Sequence, residues 1–196
     1  MDLRLLRIFA LAFVAPRAAA PFKPGVLFSA EKSLLGVLEL YAADLEGTQV
    51  IKLSGSLVAG GNVESFGISP NRKLVVFEAD KDTNDKTELY VVPFTGGTPA
   101  KVSGPLTVAG DVVNFAWSPD SKRIAYLADA NEDGVNELFV AGLDGAPPVN
   151  VSGPLIDGGF VFSYVWSPKT NRIAFQAEAE AVGVRELFAV DPDESD

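Results

Sequence analysis

Apolar and polar positions along this chain come in short bursts, not in helical turns. Val26-Leu27-Phe28 and the runs at 74–77, 124–127 and 173–175 are rich in β-branched and aromatic residues, and each is closed by a cluster of Gly, Asp, Asn or Pro. No segment sustains a helical apolar period over the length of a helix. The pattern predicts strands joined by tight turns throughout. In the third quarter of the chain it predicts strands at 112–117, 123–129, 137–143 and 149–152. Ser118-Pro119-Asp120, residues 131–134 and Asp144-Gly145 supply the turns between them. Pro119 has no N–H to give a sheet ladder, so it closes one strand and cannot lie within the next.

The pattern then repeats. Ser69-Pro70, Ser118-Pro119 and Ser167-Pro168 stand 49 residues apart, and so do Glu39-Leu40-Tyr41, Glu88-Leu89-Tyr90, Glu137-Leu138-Phe139 and Glu186-Leu187-Phe188. Ser54-Gly55, Ser103-Gly104 and Ser152-Gly153 keep the same step, as do Phe28, Phe77, Tyr126 and Phe175. Unrelated markers held in one register mean a repeat architecture. One four-stranded sheet cannot bury both of its faces, but sheets stacked around an axis cover one another. The expected fold class is therefore all-β, a β-propeller of four-stranded antiparallel blades with a 49-residue repeat and about four blades. The units fall at about 21–60, 61–109, 110–158 and 159–196. Repeat one lacks a convincing inner strand and repeat four an outer one, so the chain is expected to be a compact four-bladed ring, a truncated piece of a larger and here incomplete ring, or a half that a homo-oligomer completes. Trp117 and Trp166 occupy one repeat position and are expected to pack between blades.

Composition narrows the chemistry. The 196 residues include no His and no Cys, and the net charge is −10. Without either residue the chain cannot build a Ser-His-Asp or Cys-His nucleophile, a thiolate ligand or a His-ligated metal site. The negative charge argues against sequence-independent nucleic-acid binding, which relies on Lys and Arg at phosphates. No catalytic constellation is recognised, and a non-enzymatic role is expected. Residues 1–20, with Arg4 and Arg7 before an apolar run and Ala18–Ala20 after it, resemble a secretory signal peptide. That reading implies a periplasmic or extracellular protein. The alternative is a worn first strand of repeat one in a cytoplasmic chain. The apolar run is too short to cross a bilayer as a helix, so no transmembrane segment is expected.

The stretch 117–129 with Asn136–Gly145, reading WSPDSKRIAYLAD…NELFVAGLDG, resembles the WD-like repeat of TolB-type β-propellers. The resemblance covers 26–190. Related blades form the N-terminal propellers of prolyl oligopeptidases and dipeptidyl peptidases, but this chain has no hydrolase sequence and no His. The resemblance implies a non-catalytic scaffold for a protein or peptide. A calcium-binding surface propeller and an accessory propeller fragment of a peptidase-like protein are the alternatives.

Topology sorts the charges. The hairpins joining second to third strands, 31–39, 80–88, 129–137 and 178–186, carry net charges of −1, −2, −4 and −2. The turns joining first to second strands carry Lys23, Arg72, Lys73, Lys122, Arg123, Lys169 and Arg172. One rim is thus expected to be acidic. Within it, Asp129, Asn131, Asp133 and Glu137 follow the spacing of an oxygen-ligand calcium loop, with Gly134 at the turn, and Asp80, Asp82, Asn84 and Glu88 repeat it. Ca²⁺ is the one cofactor this spacing suggests. The opposing view is that Asp, Asn and Gly are ordinary turn residues. Glu39 and Glu186 persist where the other candidate ligands are gone, which assigns the Glu of this motif to the blade itself. Ser54, Ser103 and Ser152 have no base to activate them and are expected to shape the turn before Gly.

Overall fold

The computed structural model describes residues 21–32 and 35–192. The signal-like segment 1–20 lies outside them. Every regular element described is a strand, and among the described residues no helix is long and apolar enough to cross a membrane.

Among the described residues fourteen strands form four antiparallel sheets. Blade 1 holds β1 (Val26–Ala30), β2 (Glu39–Ala43) and β3 (Val50–Lys52). Blade 2 holds β4 (Val63–Ile68), β5 (Leu74–Ala79), β6 (Glu88–Pro93) and β7 (Ala100–Lys101). Blade 3 holds β8 (Val112–Trp117), β9 (Arg123–Ala128), β10 (Glu137–Gly142) and β11 (Val149–Asn150). Blade 4 holds β12 (Val161–Trp166), β13 (Ile173–Ala177) and β14 (Glu186–Val190). Each strand pairs with its neighbours in sequence. The repeat register survives pairing: Phe77 faces Tyr90, Tyr126 faces Phe139 and Phe175 faces Phe188, each pair stacked with ring centroids 5.2–5.5 Å apart.

The fourth strands are shorter than the alternation predicts. β11 pairs only through Val149 and Asn150, because the next two N–H groups, of Val151 and Ser152, both turn to the carbonyl of Leu138. Ser152 Oγ accepts the N–H of Leu138 in return, at 3.1 Å. Ser54 with Leu40 and Ser103 with Leu89 repeat the arrangement. The Ser-Gly marker is therefore a clamp that ends the outer strand.

Three cores lie between consecutive blades. Leu40, Ala42 and Leu53 of blade 1 meet Val75, Phe77, Tyr90 and Val92 of blade 2. Val76, Leu89 and Val91 of blade 2 meet Ile124, Tyr126 and Phe139 of blade 3. Leu127, Leu138 and Val140 of blade 3 meet Trp166, Ile173 and Phe175 of blade 4. Successive strand residues point to opposite faces. Blades 1–3 thus give their E-L-Y/F leucine to the next blade, and blades 2–4 give their aromatic pair to the previous one. Both tryptophans sit in these seams: Trp166 Nε1 donates to the Ala116 carbonyl at 3.1 Å and Trp117 Nε1 to that of Gly67 at 3.4 Å. Among the described residues no hydrophobic core joins blade 4 to blade 1.

Candidate functional site: the rim of the second-to-third hairpins

Antiparallel order sends the hairpins at 80–87, 129–136 and 178–185 to one end of the blades, together with the connections from each blade to the next. The two kinds of loop touch. Val58 N–H donates to the Lys81 carbonyl and Thr107 N–H to that of Ala130. The Lys86 ammonium caps the carbonyls of Leu106 and Thr107.

Asp80 and Asp129 are the anchors of this rim. One carboxylate oxygen of Asp129 accepts the N–H of Asp111, at the entry to blade 3, and the other accepts the N–H of Gly134, across the hairpin. Asp80 does the same with Asn62 and Asp85. The entry residues then reach back: Asn62 Oδ1 accepts the N–H of Leu38, and Asp111 Oδ1 that of Thr87. Backbone bonds run alongside, from Val63 to Leu38, Val112 to Thr87 and Val161 to Asn136. Each carboxylate thereby ties its own hairpin to the seam with the preceding blade. In blade 4 the pair becomes Glu178 and Phe160, which meet only through Glu178 N–H and the Phe160 carbonyl.

The glutamates of the E-L-Y/F motif turn sideways, toward the outer strand. Glu88 accepts from the Tyr90 hydroxyl at 2.8 Å and from Lys101 at 2.9 Å. Glu39 pairs with Tyr41 and Lys52 in the same way. Where the aromatic becomes Phe139, Glu137 instead accepts from Asn131 and Asn150. Burial, then the Glu88 and Asp82 carboxylates, push the Tyr90 hydroxyl well above the ordinary tyrosine range. Burial opposes ionisation of Asp82, but bonds from Tyr90 and Lys81 and the charges of Lys81 and Lys101 outweigh it and lower its pKa. Asp82, Asn84, Asn131 and Asp133 are exposed at the hairpin tips. The structure splits the blade 2 candidates between the anchored Asp80, the exposed Asp82 and Asn84 and a Glu88 engaged with the outer strand; in blade 3 it brings Asn131 to Glu137, with Asp129 anchored and Asp133 exposed. Among the described residues no three acidic side chains come together in a cluster that could hold a metal ion.

Exposed carboxylates remain. On the rim of blades 2–4 these are Asp82, Asp85, Glu132, Asp133, Asp157 and Glu180. The cations described there are all engaged: Lys81 with Asp82, Lys86 with two carbonyls and Arg185 over the Phe162 ring, 3.8 Å from its centroid. Blade 1 is nearly balanced, with Glu31 and Lys32 side by side.

One buried acid was not anticipated. Glu78 lies on β5 on the face of Val76, toward blade 3; Ser65 donates to its Oε2 at 2.5 Å and Oε1 has no hydrogen-bond partner. Burial, with the nearby Glu64 charge adding to it and the Ser65 bond opposing, raises its pKa. Burial and the Glu78 charge likewise hold the Tyr164 hydroxyl above its usual range, while that hydroxyl donates to the Ala125 carbonyl at 3.1 Å. The signal was present in the register, since Glu78 interrupts an apolar run where other repeats have Ser29, Leu127 and Gln176.

No protein-family model matches the chain, and no curated protein matches its sequence. Solved structures do. The structure described as TolB from Agrobacterium tumefaciens superposes with a TM-score of 0.53 and 26% identity, over 81% of this chain and 53% of that one. The fold is a TolB-like β-propeller. A puromycin-hydrolyzing peptidase of Mycobacterium tuberculosis matches the TolB-like blades with a TM-score of 0.53 and 16% identity, over 85% of this chain and 27% of the peptidase. A prolyl endopeptidase matches with a TM-score of 0.53 and 16% identity, over 81% of this chain and 25% of its own. The TolB-like chain thus spans about half of the TolB structure and about a quarter of each peptidase.

Proposed function

We propose that the chain is a non-catalytic propeller scaffold that binds a basic protein or peptide segment across the rim of blades 2–4. The observation that carries this reading is the imbalance at that rim, where six carboxylates face solvent and the three cations are engaged. Such a surface raises the local concentration of cationic partners and speeds their encounter. The absence of His and Cys supports a non-enzymatic role. A location outside the cytoplasm rests on the signal-like residues 1–20. Fluorescence anisotropy with a Lys-rich peptide, against a Glu-rich peptide of equal length, tests the reading. Only the basic peptide binds, and binding weakens with salt, as expected of exposed charges. Replacing Glu132, Asp133 and Asp157 with Lys lowers the affinity by at least about tenfold, since like-charge contacts cost several kcal/mol. Equal binding of both peptides, or no effect of the triple variant, refutes it.

The two peptidase matches favour a second reading, an accessory propeller that controls access to a catalytic domain elsewhere in a longer protein. An α/β-hydrolase sequence downstream in the full gene decides for it.

A further inference from the structure

At the end of the blades opposite the acidic hairpins, the turns before the second strands meet across each seam. Two of the seams are tied there by a hydrogen bond. Asn71 N–H donates to Ser121 Oγ at 3.0 Å between blades 2 and 3. Asn171 Nδ2 donates to Asp120 Oδ2 at 3.1 Å between blades 3 and 4. The seam between blades 1 and 2 carries other residues at the same repeat positions. Phe22 stands where Asn71 and Asp120 stand, Arg72 where Ser121 stands and Lys73 where Asn171 stands. Arg72 has no acceptor to replace the Ser121 hydroxyl, and the Phe22 ring none to replace the Asp120 carboxylate.

That seam opens instead into a hollow of ≈ 540 Å³, lined by Phe22, Lys23, Pro24, Arg72, Lys73 and Phe94 among others. Its floor belongs to the first inter-blade core: Phe94 is 2% exposed and Phe22 packs on the same cluster. Its wall is cationic. Lys23, Arg72 and Lys73 are exposed, and among the described residues their side chains form no hydrogen bond or ion pair. No carboxylate lines the hollow, although the chain has a net charge of −10. Lys23 also borders a neighbouring hollow with Asp44 and Glu46, so Arg72 and Lys73 give this one most of its charge. Arg72 is held at φ 59°, in the left-handed region that glycine enters without steric cost. Ser121 shares that conformation at 63° and uses its side chain to tie its seam. Arg72 brings a guanidinium to the hollow instead.

We infer that this hollow binds a small organic anion, with its phosphate or carboxylate against Arg72 and Lys73 and its aromatic body on Phe22, Pro24 and Phe94. A guanidinium fork and an ammonium suit either oxyanion. The volume lies within the roughly 300–1,000 Å³ usual for small-molecule pockets. The negative charge of the rest of the chain disfavours an extended polyanion and leaves a compact ligand as the fitting occupant.

Isothermal titration calorimetry of the full chain at low ionic strength tests this with four probes. Phenyl phosphate and benzoate carry both an anion and a ring, inorganic phosphate lacks the ring, and benzyl alcohol lacks the charge. At least one of the first two binds with unit stoichiometry, and the tighter names the anion. Each of the last two binds it about tenfold more weakly or not at all, since each lacks one half of the recognition. Arg72→Ser and Lys73→Asn place in blade 2 the residues that blades 3 and 4 carry there, so Tm stays near that of the wild type. Each lowers affinity about fivefold, the effect of removing one exposed cation. Lys122→Asn, on the same end but outside this hollow, leaves affinity unchanged. No binding of either aromatic anion overturns the inference, as does inorganic phosphate binding as tightly as phenyl phosphate. Undiminished affinity in both Arg72→Ser and Lys73→Asn overturns it as well.

Discussion

Blades 3 and 4 carry nearly the same text and live in different surroundings. Glu137-Leu138-Phe139 and Glu186-Leu187-Phe188 hold the same register in their sheets, yet Leu138 is 0% exposed and Leu187 74%. The phenylalanines do not diverge so far, because both look back toward a preceding blade that is present. Likewise Asp129 holds two backbone N–H groups while Glu178, at the same position, accepts none by its side chain in the bonds described. The lesson is that a repeat residue has no fixed energetic value. Its value comes from the neighbour that covers it.

The largest effects should separate the two faces of blade 4. Trp166→Ala, on the covered face, is expected to cost about 3–5 kcal/mol, the range for a buried aromatic. Trp117, less buried, should cost less. Chemical denaturation at low protein concentration measures both. Leu138→Ala against Leu187→Ala sharpens the contrast within one motif. The first is expected to cost about 2–5 kcal/mol and the second to stay within about 0.5 kcal/mol when the chain is dilute. Equal losses would mean that Leu187 is already covered in solution.

The hairpin anchors come next. Asp129→Ala leaves the N–H groups of Asp111 and Gly134 without their acceptor, and about 1–3 kcal/mol should be lost for each that stays dry. Glu178→Ala should cost less than either. Hydrogen exchange should show the 129–136 hairpin opening in the first variant and unchanged protection in the second.

Smaller still is the effect of Glu78, which exists in blade 2 and has no carboxylate counterpart in blade 3 or 4. Its pKa is raised in the folded protein, so the native state binds more protons than the unfolded chain above the ordinary value of 4.5. Stability from this group is therefore fully present below that pH and is lost as pH rises through the raised value. Glu78→Gln should raise Tm at neutral pH and leave it nearly unchanged in acid. A variant less stable at both pH values would mean that the carboxylate holds the seam together.

The smallest expected effect concerns metal. With no convergent set of acids described in blade 3, calcium and magnesium at equal ionic strength should shift the wild-type melt alike. A calcium-specific rise, abolished by Asp129→Ala and kept by Glu178→Ala, would show that the hairpin closes around the ion.

The sequence by itself determined the sheets. Strand positions follow from β-rich bursts between turn clusters, and the first three strands of the third repeat begin where the alternation puts them, at Val112, Arg123 and Glu137. The repeat step identified which residues are equivalent, because backbone hydrogen bonding and side-chain alternation are local and recur with the text. It also pointed to the Ser-Gly clamp and the seam tryptophans without giving their partners. Tertiary structure alone decided which leucines are core and which are surface, since that depends on a neighbouring sheet and not on the strand. It decided that Asp80 and Asp129 spend their oxygens on backbone N–H groups from two different loops, while Glu88 and Glu137 turn to the outer strand. Spacing along one hairpin could not reveal this, because the groups that claim those carboxylates, at Asn62, Asp111, Lys101 and Asn150, arrive from elsewhere in the chain.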